Sequence, residues 1–221
     1  MSPFTNMNGV VFFLCLLKVH HAYVNVALDK PAYMQYQYKP GDNRYDASNA
    51  VDGQKSNLSF NGGQCSSSVA SKQTATWWVN LTKMYNIHHI RIYFLKSKYE
   101  WGSFYAPRLL GFSVYVSNTT DRSGGVLCFK DSNFTLNTIP AVFTTNCPVY
   151  GQYVIYYNER LPEVSYPEEY SDYVETNLCE VEVYNNAAYS LPLEQMSFNG
   201  ESVAAALILI VALVVLILYT R

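Results

Sequence analysis

The sequence predicts an all-β, antiparallel sandwich set between two hydrophobic terminal segments. Three observations carry that expectation. Apolar residues in the middle of the chain recur with period two rather than 3.6. Clusters of Gly, Asn, Asp, Ser and Pro punctuate them at short intervals. Twenty tyrosines supply the aromatic composition that suits half-buried β surfaces. No confident long helix lies between the terminal segments, and no repeat of fixed period is found.

In chain order, the first element is the apolar run Val10 to Leu17, too short to span a bilayer and followed by Lys18 and the small residue Ala22. Residues 1–22 read as a secretory signal, although no positive n-region precedes the run. Residues 23–185 then form one domain, large enough to bury its own core. Within it Ile90, Ile92 and Phe94 alternate with Arg91 and Tyr93, and Phe112, Val114 and Val116 alternate with Ser113 and Tyr115. Val181 and Val183 alternate with Glu180, Glu182 and Tyr184, so all three runs are expected as half-buried strands. Trp77 to Leu81 and Tyr153 to Tyr157 are continuously apolar or aromatic and are expected in the middle of the sandwich. Turns are expected at Gly41-Asp42-Asn43, Asn61-Gly62-Gly63, Arg122-Ser123-Gly124-Gly125 and between Pro162 and Pro167. Many short strands so punctuated argue an antiparallel sandwich.

Residues 186–202 read as a juxtamembrane linker, 203–219 as a wholly apolar helix and 220–221 as a minimal tail. A helix over 203–219 is about 25 Å long, slightly short of a hydrocarbon core of roughly 30 Å. Tyr219 suits a membrane interface and Arg221 a positive-inside stop. The rival reading is a lipid-anchor signal, with Asn186-Ala187-Ala188 as the small-residue triplet and 189–202 as the spacer. A single-pass arrangement at the plasma membrane is favoured, and either form shows the domain to the exterior.

The compartment is supported by the cysteines and the sequons. Cys15 leaves with the signal, and Cys65, Cys128, Cys147 and Cys179 remain, an even number that allows three pairings. Asn57, Asn80, Asn118 and Asn133 each open an Asn-x-Ser/Thr glycan acceptor. The formal net charge of −2 and the lack of a basic stripe argue against a nucleic-acid partner. No CxxC or Cys/His pattern is present, so a zinc site is not expected. No nucleophile elbow, HExxH or phosphate loop is present either, and the serines at 66–68 have no histidine partner in the sequence, so an enzyme is not expected.

Several landmarks succeed one another in order: Asn25-Val26-Ala27-Leu28-Asp29-Lys30-Pro31-Ala32, Ala47-Ser48-Asn49-Ala50-Val51-Asp52-Gly53, Trp77-Trp78-Val79-Asn80-Leu81, Tyr85-Asn86-Ile87, Pro107-Arg108-Leu109-Leu110-Gly111 and Leu178-Cys179-Glu180-Val181-Glu182-Val183. With these the chain resembles the fucolectin (F-type lectin) domain of the galactose-binding-like superfamily, over essentially all of residues 23–185. The resemblance implies an eight-stranded jelly roll with ligand loops at one end. It also implies the pairings Cys65 with Cys179 and Cys128 with Cys147.

Two sites follow from the same resemblance. A structural calcium ion is implied at Asn49, Asp52, Gln54, Cys179 and Glu180, where hard oxygens in a tight turn and two carboxylates suit the ion. Gln64 stands where the family offers a serine. From the residues alone, Asp52-Gly53 reads equally as a plain turn and Glu180 as a solvated strand residue. The family's fucose site joins a histidine, an Arg-x-Asp and a later basic residue. Here Ser67 takes the histidine position, Phe94-Leu95-Lys96-Ser97-Lys98 the Arg-x-Asp region, and only Arg108 keeps its place. The ordinary fucose site is therefore expected to be lost.

The candidate replacement is the loop from Lys96 to Arg108. Its aromatics Trp101, Phe104 and Tyr105 lie among the cations Lys96, Lys98 and Arg108, a combination that stacks on sugar faces and donates to hydroxyls. The same loop could fold its aromatics onto the sandwich instead. A second surface, between Glu159 and Glu175, alternates Glu163, Glu168, Glu169, Asp172 and Glu175 with Tyr166, Tyr170 and Tyr173, and reads mainly as a solvated acidic loop. Tyr33, Tyr36, Tyr38 and Tyr45 could rim the same end or serve packing. The expected function is a cell-surface module that binds a glycan or glycoprotein. The alternatives are a protein-binding adhesion domain and a structural coat protein.

Overall fold

The computed structural model describes residues 23–96 and 104–186. The expected signal, the linker after Asn186, the apolar tail and the tip of the 96–108 loop, with Lys98 and Trp101, lie outside the described residues. Among the described residues there are eight strands: β1 (Tyr23–Asn25), β2 (Ala32–Met34), β3 (Ser66–Ser67), β4 (Thr74–Phe94), β5 (Ser113–Ser117), β6 (Val126–Lys130), β7 (Val142–Glu159) and β8 (Asn177–Asn186). The described helical structure is one turn, α1 (Ala106–Leu109), and three short 3-10 turns at Asn43–Tyr45, Ala47–Val51 and Phe60–Gly62. This is the all-β antiparallel jelly-roll sandwich that the sequence predicts.

All the pairings between named strands are antiparallel, in the order β1-β8-β4-β7-β5-β6, with β2 added to β4 and β3 to β8. The long strands β4 and β7 carry the array around the core. Their register shifts between Asn80 and Tyr85, where Thr82 takes a left-handed φ of 70°, and again between Ile87 and His89. Such irregularities bend a strand and let it serve both layers. This is why the runs around Trp77 and Ile90, which read as separate strands, belong to one.

Alternate residues fill the core: Trp77, Val79 and Leu81, then Ile90, Ile92 and Phe94, with Val114, Val116, Val181 and Val183. Phe112 lies among aromatics, stacked with Tyr156 at 5.6 Å and edge-on to Phe94 at 5.4 Å and Phe143 at 5.1 Å. The disulfides are Cys65–Cys179 and Cys128–Cys147, closing separations of 114 and 19 residues. In the chain-entropy model these contribute about 4–5 and about 3 kcal/mol.

Two expectations from the strand pattern change. In the run from Trp77 to Leu81, only Trp77, Val79 and Leu81 are buried, while Trp78 and Asn80 stand half-buried on the outer face. Glu180 and Glu182, which read as the wet face of a strand, are buried with exposures of 0% and 4%. The 3-10 turn Ala47–Val51 packs on β8, and the turn after it reaches the same carboxylates, Gly53 N donating to Glu180 and Lys55 Nζ pairing with Glu182. Alternation reports which side a residue takes, and loop packing decides whether that side is wet.

Candidate functional site

The end of the sandwich that carries α1 gathers three segments remote in sequence. Arg108 comes from α1, whose start is favoured by Pro107 in its first turn. Its guanidinium lies 4.1 Å from the centroid of Phe104 and 5.1 Å from that of Tyr173. It also pairs with Glu175, Nη1 to Oε2 at 3.4 Å, with side-chain exposures of 13% for Arg108 and 8% for Glu175. Asn177 Nδ2 donates to the same Oε2 at 2.7 Å. The structure thus joins the 96–108 loop to the acidic tyrosine loop, which the sequence offered as two separate surfaces. Tyr173 and Glu175 belong to the arginine cluster.

Around this pair lie polar groups without partners. Ser67 is fully buried and pairs in register with Asn177. Ser67 Oγ, Thr176 Oγ1 and Asn177 Oδ1 are buried atoms with no hydrogen-bond partner. Phe104 is 52% exposed, with the Arg108 guanidinium over its ring and the Tyr105 ring perpendicular to it at 4.8 Å. Tyr105 points inward instead, 8% exposed and packed with Leu95 and the Cys65–Cys179 disulfide. Burial pushes its phenol upward in pKa. Tyr105 therefore supports the base of the loop, and Phe104 is the more exposed of these two rings. Lys96 is exposed and bridges in parallel to Ser59.

The early tyrosines divide. Tyr38 and Tyr45 pack edge-on at 4.9 Å and both meet Phe60, as an internal cluster in which Tyr45 is buried. Tyr36 is exposed beneath Lys72 Nζ at 4.8 Å, and Tyr33 lies on the outer sheet face against Trp78.

The acidic loop is held by Arg160, which pattern reading did not single out. Its Nε donates to Ser171 O, Nη1 to Asn158 Oδ1 and Glu159 O, and Nη2 to Pro107 O and Leu110 O. Tyr170 and Tyr166 cover it at 4.6 and 5.1 Å. Burial lowers its pKa. This buried cation ties the loop at 161–173 to the segment that carries Arg108.

The second candidate set lies where the Ala47–Val51 turn meets β8. Gly53 N donates to Glu180 Oε2 at 3.1 Å, while Glu180 Oε1 is buried with no partner. Burial, reinforced by Asp52 and Glu182 against the pull of Gly53 N and Lys55, pushes the Glu180 carboxyl up to about 7. Burial also raises Asp52. Asn49 Nδ2 donates to Asn43 O and Cys65 O, and the Cys179 sulfur is taken by its disulfide, leaving its carbonyl as an oxygen donor. Gln54 turns its side-chain amide back on Asp52 Oδ2, and Gln64 caps Gln54 Oε1. Among the described residues no cluster of three or more His, Cys, Asp or Glu side chains forms a metal site. A cation here would rest on two carboxylates with amide and carbonyl oxygens, and the orphaned Glu180 Oε1 fits a hard divalent ion of the calcium type.

The four sequons differ in setting. Asn57, Asn118 and Asn133 are exposed, and Asn80 is half-buried on the outer face of β4.

No family model and no curated protein matches the chain. Solved structures do. An F-lectin (fucolectin) from the serum of the striped bass, Morone saxatilis, is 26% identical with a TM-score of 0.56, over 75% of this chain and 50% of that one. The lectin domain of lectinolysin, solved with the Lewis B antigen, is 21% identical with a TM-score of 0.54, over 74% of this chain and 98% of that one. Chitosan-binding module 2 of a chitosanase/glucanase from Paenibacillus sp. IK-5, solved with chitotriose, is 17% identical with a TM-score of 0.51, over 73% of this chain and 100% of that one. The chain spans half the length of the bass lectin it matches.

Proposed function

The chain carries a fucolectin-like domain of the galactose-binding-like fold, and from that premise we propose that it is a carbohydrate-binding module displayed at a cell surface. The observation that carries this reading is the Arg108 cluster at the loop end. A guanidinium and a carboxylate share one partly buried pair, so donors and acceptors for hydroxyls lie side by side. The half-exposed ring of Phe104 next to them supplies the face on which a pyranose stacks.

The pattern of donors argues for a glycan other than free fucose. Ser67 is buried and short where the resemblance puts a histidine, and Lys96 or Lys98 stands where it puts the Arg-x-Asp. Asn49, Asp52, Gln54, Glu180 and the Cys179 carbonyl would hold a calcium ion, which neutralises the two carboxylates and stiffens the turn beneath the site. The signal at 1–22 and the apolar segment at 203–219 put the module outside the cell and anchor it there, and the glycan partner is carried on another molecule or surface.

The test is a glycan array probed with the full chain in detergent, with calcium and with chelator. The expected result is binding to a restricted set of oligosaccharides, weakened by chelation, with free fucose a poor competitor. Strong competition by free fucose would restore the ordinary family site, and an empty array would overturn the carbohydrate reading in favour of a protein partner.

A further inference from the structure

The outer face of the sheet carries aromatic rings that the loop-end site does not use. Trp78 is the in-register partner of Tyr33 on β2, and their rings stack at 5.3 Å with 22° between planes. On its other side Trp78 meets Tyr153 of β7 edge-on at 5.6 Å. Tyr33 is 49% exposed, and Trp78 and Tyr153 are half-buried. Period-two alternation sends Trp77, Val79 and Leu81 into the core and leaves Trp78 and Asn80 on this face, two residues apart. Asn80 is also the direct cross-strand partner of Tyr153. It therefore stands between two aromatic rings, one along its own strand and one across it.

Asn80 opens the sequon Asn80-Leu81-Thr82. Its side-chain Oδ1 accepts from Thr82 N at 2.8 Å and from Gln152 Nε2 at 2.9 Å. Both bonds hold the carbonyl side of the amide, so its orientation is fixed and Nδ2 is the atom left for a sugar. The other sequons lack this setting. The residues two before Asn57, Asn118 and Asn133 are Lys55, Val116 and Asp131.

We propose that the Trp78–Tyr153–Tyr33 surface is the seat of the chain's own N-glycan at Asn80, whose first N-acetylglucosamine packs its C–H face on Trp78 and Tyr153. The sugar is covalently tethered within reach of the rings, so no translational entropy opposes the contact. Its hydrophobic face covers aromatic surface that would otherwise meet water, and the stacking stabilises the β2-β4-β7 layer. The inference rests on the secretory routing proposed above, and it is independent of what the Arg108 end binds.

The experiment uses the full chain made in eukaryotic cells restricted to high-mannose glycans, in wild type and Asn80→Asp. Mass spectrometry reads occupancy at each sequon, and thermal midpoints are compared before and after glycan removal. An amidase that strips the whole glycan turns Asn80 into Asp, so the treated proteins become identical at this position, and the untreated difference reads the glycan together with the exchange of amide for carboxylate, which the ring variants then separate. The expected result is an occupied Asn80 that raises the midpoint by about 2–4 °C. That gain survives endoglycosidase trimming to a single N-acetylglucosamine and disappears in Trp78→Thr, or in Tyr153→Thr should the first variant fail to fold. An unoccupied Asn80 beside glycosylated Asn57, Asn118 or Asn133, equal midpoints for wild type and Asn80→Asp, or a gain that persists without the rings would each overturn the proposal. Absence of glycan from all four sequons would overturn the secretory reading with it.

Discussion

Arg108 and Arg160 lie at the same end of the molecule and do different work because their partners differ. Arg108 meets a carboxylate and the half-exposed ring of Phe104, so its surroundings include a face on which a ligand can sit. Arg160 is 4% exposed, and its five N–H groups meet four main-chain carbonyls and the Asn158 side-chain oxygen. Removing it leaves several buried acceptors unsatisfied, each of which costs free energy on desolvation. Arg160→Met is therefore expected to lower stability by more than about 2 kcal/mol, read by chemical denaturation. Retention of full stability would show that water replaces the guanidinium at no cost. Arg108 was legible in the sequence because its position in Pro107-Arg108-Leu109-Leu110-Gly111 matches a known landmark. Arg160 was not, because its partners at 107–110 and 171 converge on it only in the fold.

At the scale of elements, the strands were legible and their covering was not. Alternation places Ile90, Ile92 and Phe94 in the core, and the structure agrees. It gives no information about the loop that seals the far face of β8, which is why Glu180 and Glu182 read as solvated. Burial of Glu180 with an unpartnered oxygen makes the contact between the Ala47–Val51 turn and β8 the place where a cation would add most. Chelation is expected to lower the thermal midpoint of the full chain, since an ion that binds only the folded state stabilises it by mass action. The effect should vanish in Asp52→Asn. An unchanged midpoint with chelator would mean that the turn holds without a metal. The tyrosine-rich segment at 166–173 illustrates the same limit: it looks like a solvated loop, yet Tyr166 and Tyr170 cover Arg160 and Tyr173 covers Arg108.

On the scale of the whole molecule, the fold class follows from strand periodicity, turn composition and the run of family landmarks. The disulfide pairing came from the landmarks alone, since four cysteines allow three pairings. Cys65–Cys179 links the residue just before the strand that carries Ser67 to the last strand, close to the segment that leads to Glu175, so one covalent tie braces β8 and the loop end together. The surface proposed to face a sugar was legible only as composition. Phe104 remains exposed, Tyr105 turns into the disulfide cluster, and Glu175 arrives from a segment that sequence spacing did not connect with the loop. The central claim is that a glycan stacks on Phe104 beside the Arg108–Glu175 pair. Its most direct test is calorimetric titration of the best oligosaccharide from the array into the full chain, as wild type and as Phe104→Ala. The account predicts at least a tenfold loss of affinity in Phe104→Ala, about 1.4 kcal/mol, with the thermal midpoint nearly unchanged because the ring is half-exposed. Undiminished affinity in a folded Phe104→Ala protein would contradict it.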